Sequence, residues 1–169
     1  MSVLDPNGLA HKGAAQFAAE LLQRSPDDDQ WIFNAGMKIV GLGGGFTPSG
    51  DDMLGGFLAA YNFFAHYVRQ QQLLLDFSTF EKNTTWVSAK LLDYMQHLIL
   101  DDQVARLIKF AAPTDGNAFV FALQDLIPRG HTSGVDISVG LILGLSLVHD
   151  IAFCEQEVAS IVSQLGLLS

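Results

Sequence analysis

Ser49-Gly50-Asp51-Asp52-Met53-Leu54-Gly55-Gly56 and Ser133-Gly134-Val135-Asp136-Ile137-Ser138-Val139-Gly140 share one pattern, S-G-x-D-x-x-x-G. A threonine precedes each serine, Thr47 by two positions and Thr132 by one. Each stretch opens a long apolar segment, over 53–72 and 133–149. Helices that are apolar all round belong at the centre of a fold. Small residues near their starts, Gly55 and Gly56 in one and Gly140 and Gly144 in the other, favour close packing. The spacing predicts two central apolar helices side by side with their N-termini at one end. Their pseudo-symmetric loops would then face each other across one cleft.

Helical spacing recurs outside this pair. Leu9, Ala14, Phe17, Ala18, Leu21 and Leu22 mark a first helix. Residues 24–30, rich in Asp with a Pro, read as a loop. The short apolar segment 31–40 fits no single type. Residues 77–85 form a break, and Trp86, Ala89, Leu92, Tyr94 and Met95 mark a helix after it. Helices are expected over 101–111, over 115–127 opened by Asp115, and over 155–164 with Gly166 as the stop. Alternating β-branched runs are scarce. The expected fold is all-α, a single helical domain over 1–169.

The 169 residues fit one core, yet only 16% are charged, against roughly 25% for an ordinary globular chain. So apolar a chain is expected to hide surface against a partner, another subunit or a second copy. The net charge of −9 argues against nucleic acid and anionic membranes. A small anionic substrate remains compatible, because it needs only local N–H groups and a cation. Cys154 stands alone, so it reads as a small half-buried hydrophobe. The apolar run over 137–148, interrupted by Gly and Ser, is short of the ~20 residues that span a bilayer. No basic region followed by an apolar run appears near Met1, so no signal peptide is expected and the cytoplasm is the default compartment.

Two readings of the repeat stand side by side. Ser-x-x-Asp is a capping box, in which Ser and acid satisfy each other's end of the first turn. That reading makes both loops structural. The functional reading starts from residues 41–52, which crowd five glycines, Thr47, Pro48, Ser49 and two adjacent acids together. A helix N-terminus offers free N–H groups and partial positive charge to an anion. Gly44, Gly45, Gly50 and Gly134 would let a ligand approach the backbone, with Thr47, Ser49, Thr132 and Ser133 as hydroxyl donors. With Asp52 and Asp136 spent on caps, Asp51 is surplus and becomes a catalytic candidate. It would orient a substrate amide or, with Asp52, hold Mg²⁺, the one cofactor the sequence suggests. Arg129 can fork onto a carboxylate or phosphate, and His131 can carry a proton. Thr84, Thr85 and Ser88 are secondary candidates, with an ordinary cap, Thr85-x-x-Ser88, as the plain alternative. Asp101 and Asp102 read as a helix start or a solvated pair. No dinucleotide fingerprint, Walker loop or hydrolase elbow is present, and His66, His97 and His149 have no metal-ligand spacing.

Three patches together resemble a bacterial family, long a domain of unknown function, that includes the H subunit of oxamate carbamoyltransferase encoded with allantoin-degradation genes. They are residues 41–56, then Asn83-Thr84-Thr85 with Ser88, then 130–136. The resemblance covers roughly 36–150. Phe46 stands where the family commonly has Leu, and a further N-terminal region usual in the family is expected to be missing. The resemblance implies carbamoyl transfer between phosphate and the oxamate nitrogen, with oxalurate as the carbamoylated species and other subunits as partners. In that chemistry the two helix starts would supply donors, Arg129 would hold the oxamate carboxylate, and Asp51 or His131 would be the base. A self-sufficient Mg²⁺-dependent group-transfer enzyme and a non-catalytic scaffold subunit are the competing functions.

Overall fold

A computed structural model describes residues 9–23, 30–111, 116–153 and 156–167. Among these the fold is all-helical, with no strands. Its α-helices are α1 (Leu9–Gln23), α2 (Trp31–Ile39), α3 (Ser49–Phe64), α4 (Trp86–Gln96), α5 (Asp102–Ala111), α6 (Gly116–Leu126), α7 (Ser133–Phe153) and α8 (Glu157–Gln164). The 31–40 segment is therefore helical. The loop over 24–29, Asp115 and Cys154 lie outside the described residues.

Helix α3 is buried from Ser49 to Asn62, and α7 is its most extensive neighbour. The contact is close because glycine faces backbone in both directions. A Cβ on Gly56 would fall 2.2 Å from the Ile137 carbonyl oxygen, and one on Gly140 would fall 1.8 Å from the Met53 carbonyl oxygen. Gly50 and Gly134 likewise sit against the carbonyls that end α2 and α6. Two apolar clusters flank this pair. One gathers Phe17, Ile39, Leu54, Phe57, Leu58 and Leu143, with Phe17 set edge-on to Phe57 at 5.0 Å. The other gathers Ala59, Ala60, Leu107, Ile108, Leu126 and Leu141.

Two helices differ in extent from the sequence reading. The helix expected over 53–72 starts four residues earlier and ends at Phe64, followed by a 3-10 turn over Ala65–Val68. Arg69 then takes a left-handed φ of 58°, which turns the chain. Buried Asn62 holds the returning segment, donating to the Leu73 and Gln96 carbonyls at 3.0 and 2.8 Å and accepting from the Leu73 N–H at 2.7 Å. Helix α7 runs past 149 to Phe153, giving 21 residues, long and apolar enough to cross a membrane by length and composition. The apolar run is thus longer than the sequence suggested. Yet 61% of its apolar window is buried inside the fold, as befits a core helix.

Candidate functional site

The glycine-rich loop between α2 and α3 is pinned from the side. The Gly41 N–H donates to Asp51 Oδ1 at 2.7 Å, and the Thr84 and Ser88 hydroxyls both donate to Asp51 Oδ2, Ser88 at 2.6 Å. Thr85 donates to the Phe46 carbonyl at 2.6 Å and also accepts from the Ser88 N–H at 3.0 Å, capping α4. Asn83–Ser88 is thus the strap that fixes the first loop, and Asp51, 2% exposed, is its buckle. The acid that looked surplus has three donors.

The capping boxes are not formed. Helix α3 begins after Pro48, with no side-chain cap, and Ser49 is already helical. Its first-turn N–H groups are largely spent, since Gly50 donates to Leu42 at 2.9 Å and Asp51 and Asp52 to Pro48 at 2.9 and 3.1 Å. At α7, Gly134 donates to Arg129 and Asp136 to Thr132, both at 3.0 Å. The serines cross over instead. Thr47 Oγ1 lies 3.3 Å from Ser133 Oγ, and Ser49 Oγ lies 3.4 Å from Thr132 Oγ1. These separations exceed the usual ~2.5–3.0 Å of a hydroxyl–oxygen bond, so the hydroxyls hold one another only weakly.

Asp52 and Asp136 sit beneath these hydroxyls, 8% and 4% exposed. Each has an Oδ2 that is buried without a partner. Burial pushes the Asp52 carboxyl up to about 6, against the pull of the Ser133 and Thr47 hydroxyls and helped by the charges of Asp136 and Asp51. Burial also raises Asp136, against Ser49 and Thr132. Each acid therefore faces the serine of the other helix and the threonine of its own loop.

A cleft of about 470 Å³ opens over Asp52, Thr47 and Ser133. Arg129 and Gly130 form one side, and Leu91, Tyr94 and Ile99 of α4 and its end form the other. The Arg129 guanidinium is held by Asp101 at 2.5 Å, while Asp101 Oδ1 accepts from the Gln103 and Val104 N–H groups at the start of α5. A larger cleft of about 870 Å³ lies beside the C-terminal part of α3, around Tyr61, Arg69 and Gln72, and contains no residue of either Ser-Gly-x-Asp loop.

The structure thus brings Thr47, Asp52, Arg129 and Ser133 to one cleft, with Ser49, Thr132 and Asp136 packed against them. Gly50 and Gly134 are buried, serving packing rather than ligand approach. Gly44, Gly45 and His131 are exposed and do not line the cleft. Asp51 and Asp52, one step apart on a helix, turn to different neighbours, so they do not form the paired site expected for Mg²⁺. Among the described residues no group of three or more His, Cys, Asp or Glu side chains is placed to hold a metal. Sequence reading missed Asp101 as the partner of Arg129 and the apolar wall of Leu91, Tyr94 and Ile99. The signal for the wall was the apolar face of α4 that burial leaves exposed, Leu91 and Tyr94 at 40% and 46%.

A sequence model of the family described as oxamate carbamoyltransferase subunit AllH matches residues 39–145, which include every cleft residue named above. No curated protein and no solved structure matches the chain.

Proposed function

Since the chain belongs to the oxamate carbamoyltransferase subunit AllH family, we propose that its cleft over Asp52 binds oxamate and serves carbamoyl transfer in an assembly with other subunits. The observation that carries this reading is a cation, two hydroxyls and a buried acid with an unpartnered oxygen converging on one small cleft. Oxamate is a carboxylate joined to an amide. Arg129 suits the carboxylate, since a guanidinium has five donors and Asp101 uses only part of them. The hydroxyls of Thr47 and Ser133, whose single protons point to Asp52 in the free protein, can turn them to the oxygen that gains charge as the carbamoyl carbon is attacked. The amide nitrogen forms a bond to that carbon, the bond from carbon to the phosphate oxygen breaks, and the nitrogen gives up a proton. Asp52, with its carboxyl raised to about 6, is the acid best suited to take that proton near neutral pH. Asp51 becomes a positioning residue in this reading, and His131 stands outside the reaction.

Leu91, Tyr94 and Ile99 leave apolar surface at the cleft mouth, with Phe46 and Trp86 exposed on the strapped loops at 81% and 68%. That rim suits a covering subunit that keeps water from the carbamoyl donor. A cytoplasmic location goes with such an assembly. Arg129→Ala in the assembled enzyme tests the reading. The KM for oxamate should rise about 10–100-fold, the worth of a charge-assisted bond, while the KM for carbamoyl phosphate moves less. An unchanged oxamate KM removes Arg129 from the site.

A further inference from the structure

The two aspartates pose an electrostatic problem that the cleft does not solve by itself. Arg129 contributes one positive charge, and Asp101, Asp51, Asp52 and Asp136 contribute four negative ones, leaving −3. The two helix N-termini add about +0.5 each, leaving about −2. Both substrates of the proposed reaction are anions, and the chain as a whole carries −9. An anion would meet repulsion at the acid end of the cleft.

The same groups make an oxygen cage. Two carboxylates, each with a bare, buried Oδ2, lie under four hydroxyls contributed by both loops. We infer that Asp52 and Asp136, with the hydroxyls of Thr47, Ser49, Thr132 and Ser133, hold one hard divalent cation between the starts of α3 and α7. Hard cations take carboxylate and hydroxyl oxygens without needing nitrogen or sulfur ligands. Two oxygens held at right angles by one ion lie about 1.4 bond lengths apart. The hydroxyl pairs at 3.3 and 3.4 Å thus correspond to bonds of about 2.3–2.4 Å, inside the Ca²⁺ range and longer than those of Mg²⁺. The cation takes Oδ2 of both acids and draws the Asp52 carboxyl back down from its raised value, so Asp52 meets the substrate as an ionised carboxylate through Oδ1. The cation satisfies both orphaned oxygens and turns the local charge from about −2 to about neutral, removing the repulsion. This last, electrostatic argument rests on the proposed carbamoyl-transfer reading; the oxygen cage does not.

Isothermal titration of the full chain with CaCl₂, MnCl₂ and MgCl₂ tests the assignment without substrate. The expected result is one cation per chain, Ca²⁺ tighter than Mg²⁺, with a melting temperature that climbs with the logarithm of cation concentration. Binding should be lost in Asp136→Asn and in Asp52→Asn, and weakened in Thr132→Val. Both Asn variants should melt no lower than the parent in chelator, which separates lost binding from lost folding. Absence of binding up to about 10 mM, tenfold beyond the weakest biological Ca²⁺ sites, overturns the inference, as does binding that survives Asp136→Asn. Arg129→Ala should not weaken cation binding, so failure of the oxamate site and failure of the cation site read out separately.

Discussion

Asp52→Asn should make the protein more stable at neutral pH. In the folded chain the carboxyl is raised from 3.8 to about 6, chiefly by burial. Between those two values the folded protein retains a proton that the unfolded chain has lost. Stability therefore falls as pH rises through that window, and the loss persists above it. Roughly two pH units at 1.36 kcal/mol each give about 3 kcal/mol. Asn removes the charge but also the charge-assisted bonds from the Ser133 and Thr47 hydroxyls, so the net gain is about 1–3 kcal/mol. At this chain length each kcal/mol moves the melting temperature by about 2–4 °C. The assay is thermal unfolding of parent and variant from pH 4 to 8 in chelator, so that no bound cation contributes. The variant should melt higher at pH 7.5, and the gap should close toward pH 4, where the parent's carboxyl is protonated. A cap acid would behave oppositely, because losing it destabilises a helix. A variant that melts lower at pH 7.5, or a gap that ignores pH, would refute the reasoning.

Three further outcomes follow from the packing. Asp51→Asn should cost about 2–4 kcal/mol, because the Gly41, Thr84 and Ser88 donors lose a charged acceptor; urea midpoints of Asp51→Asn and Asp52→Asn should move in opposite directions. Gly140→Ala should cost about 1–3 kcal/mol or more, since its Cβ meets the Met53 backbone and no side chain can yield, whereas Gly44→Ala, with nothing within 4 Å, should leave the midpoint nearly unmoved. Asp150 accepts from the Glu157 and Val158 N–H groups, Val158 at 3.2 Å, so Asp150→Ala should cost about 1–2 kcal/mol and raise amide exchange first in α8.

The all-α fold was legible because apolar spacing survives in nearly every helix. The end of the third helix was not, because the pattern stays apolar to Val68. What stops that helix is Asn62 binding residues 73 and 96, which no local window contains. Asp51 and Asp52 carry the sharper lesson. Adjacent helical residues point about 100° apart, so two neighbouring acids seldom share one task. The first loop's serine and acid match a cap by spacing, but Pro48 already begins the helix and frees Ser49 to cross to Thr132. Arg129 stood out by its chemistry, while its partner Asp101 was hidden in an ordinary helix start.

The contact of Gly56 with Ile137 and of Gly140 with Met53 obeys the rule of an isologous dimer, in which patch i meets patch j and j meets i. Here both patches belong to one chain, as though a two-fold homodimer of helical hairpins, α2–α3 and α6–α7, had been fused. A strict dimer would carry two identical clefts. A single chain is under no such obligation. Asp52 lines a cleft walled by α4 and the 127–132 loop, whereas Asp136, also buried, is not among that cleft's lining residues. A symmetric frame thereby presents one asymmetric mouth, and substitutions at equivalent positions of the two hairpins should have unequal consequences for turnover despite equal consequences for packing.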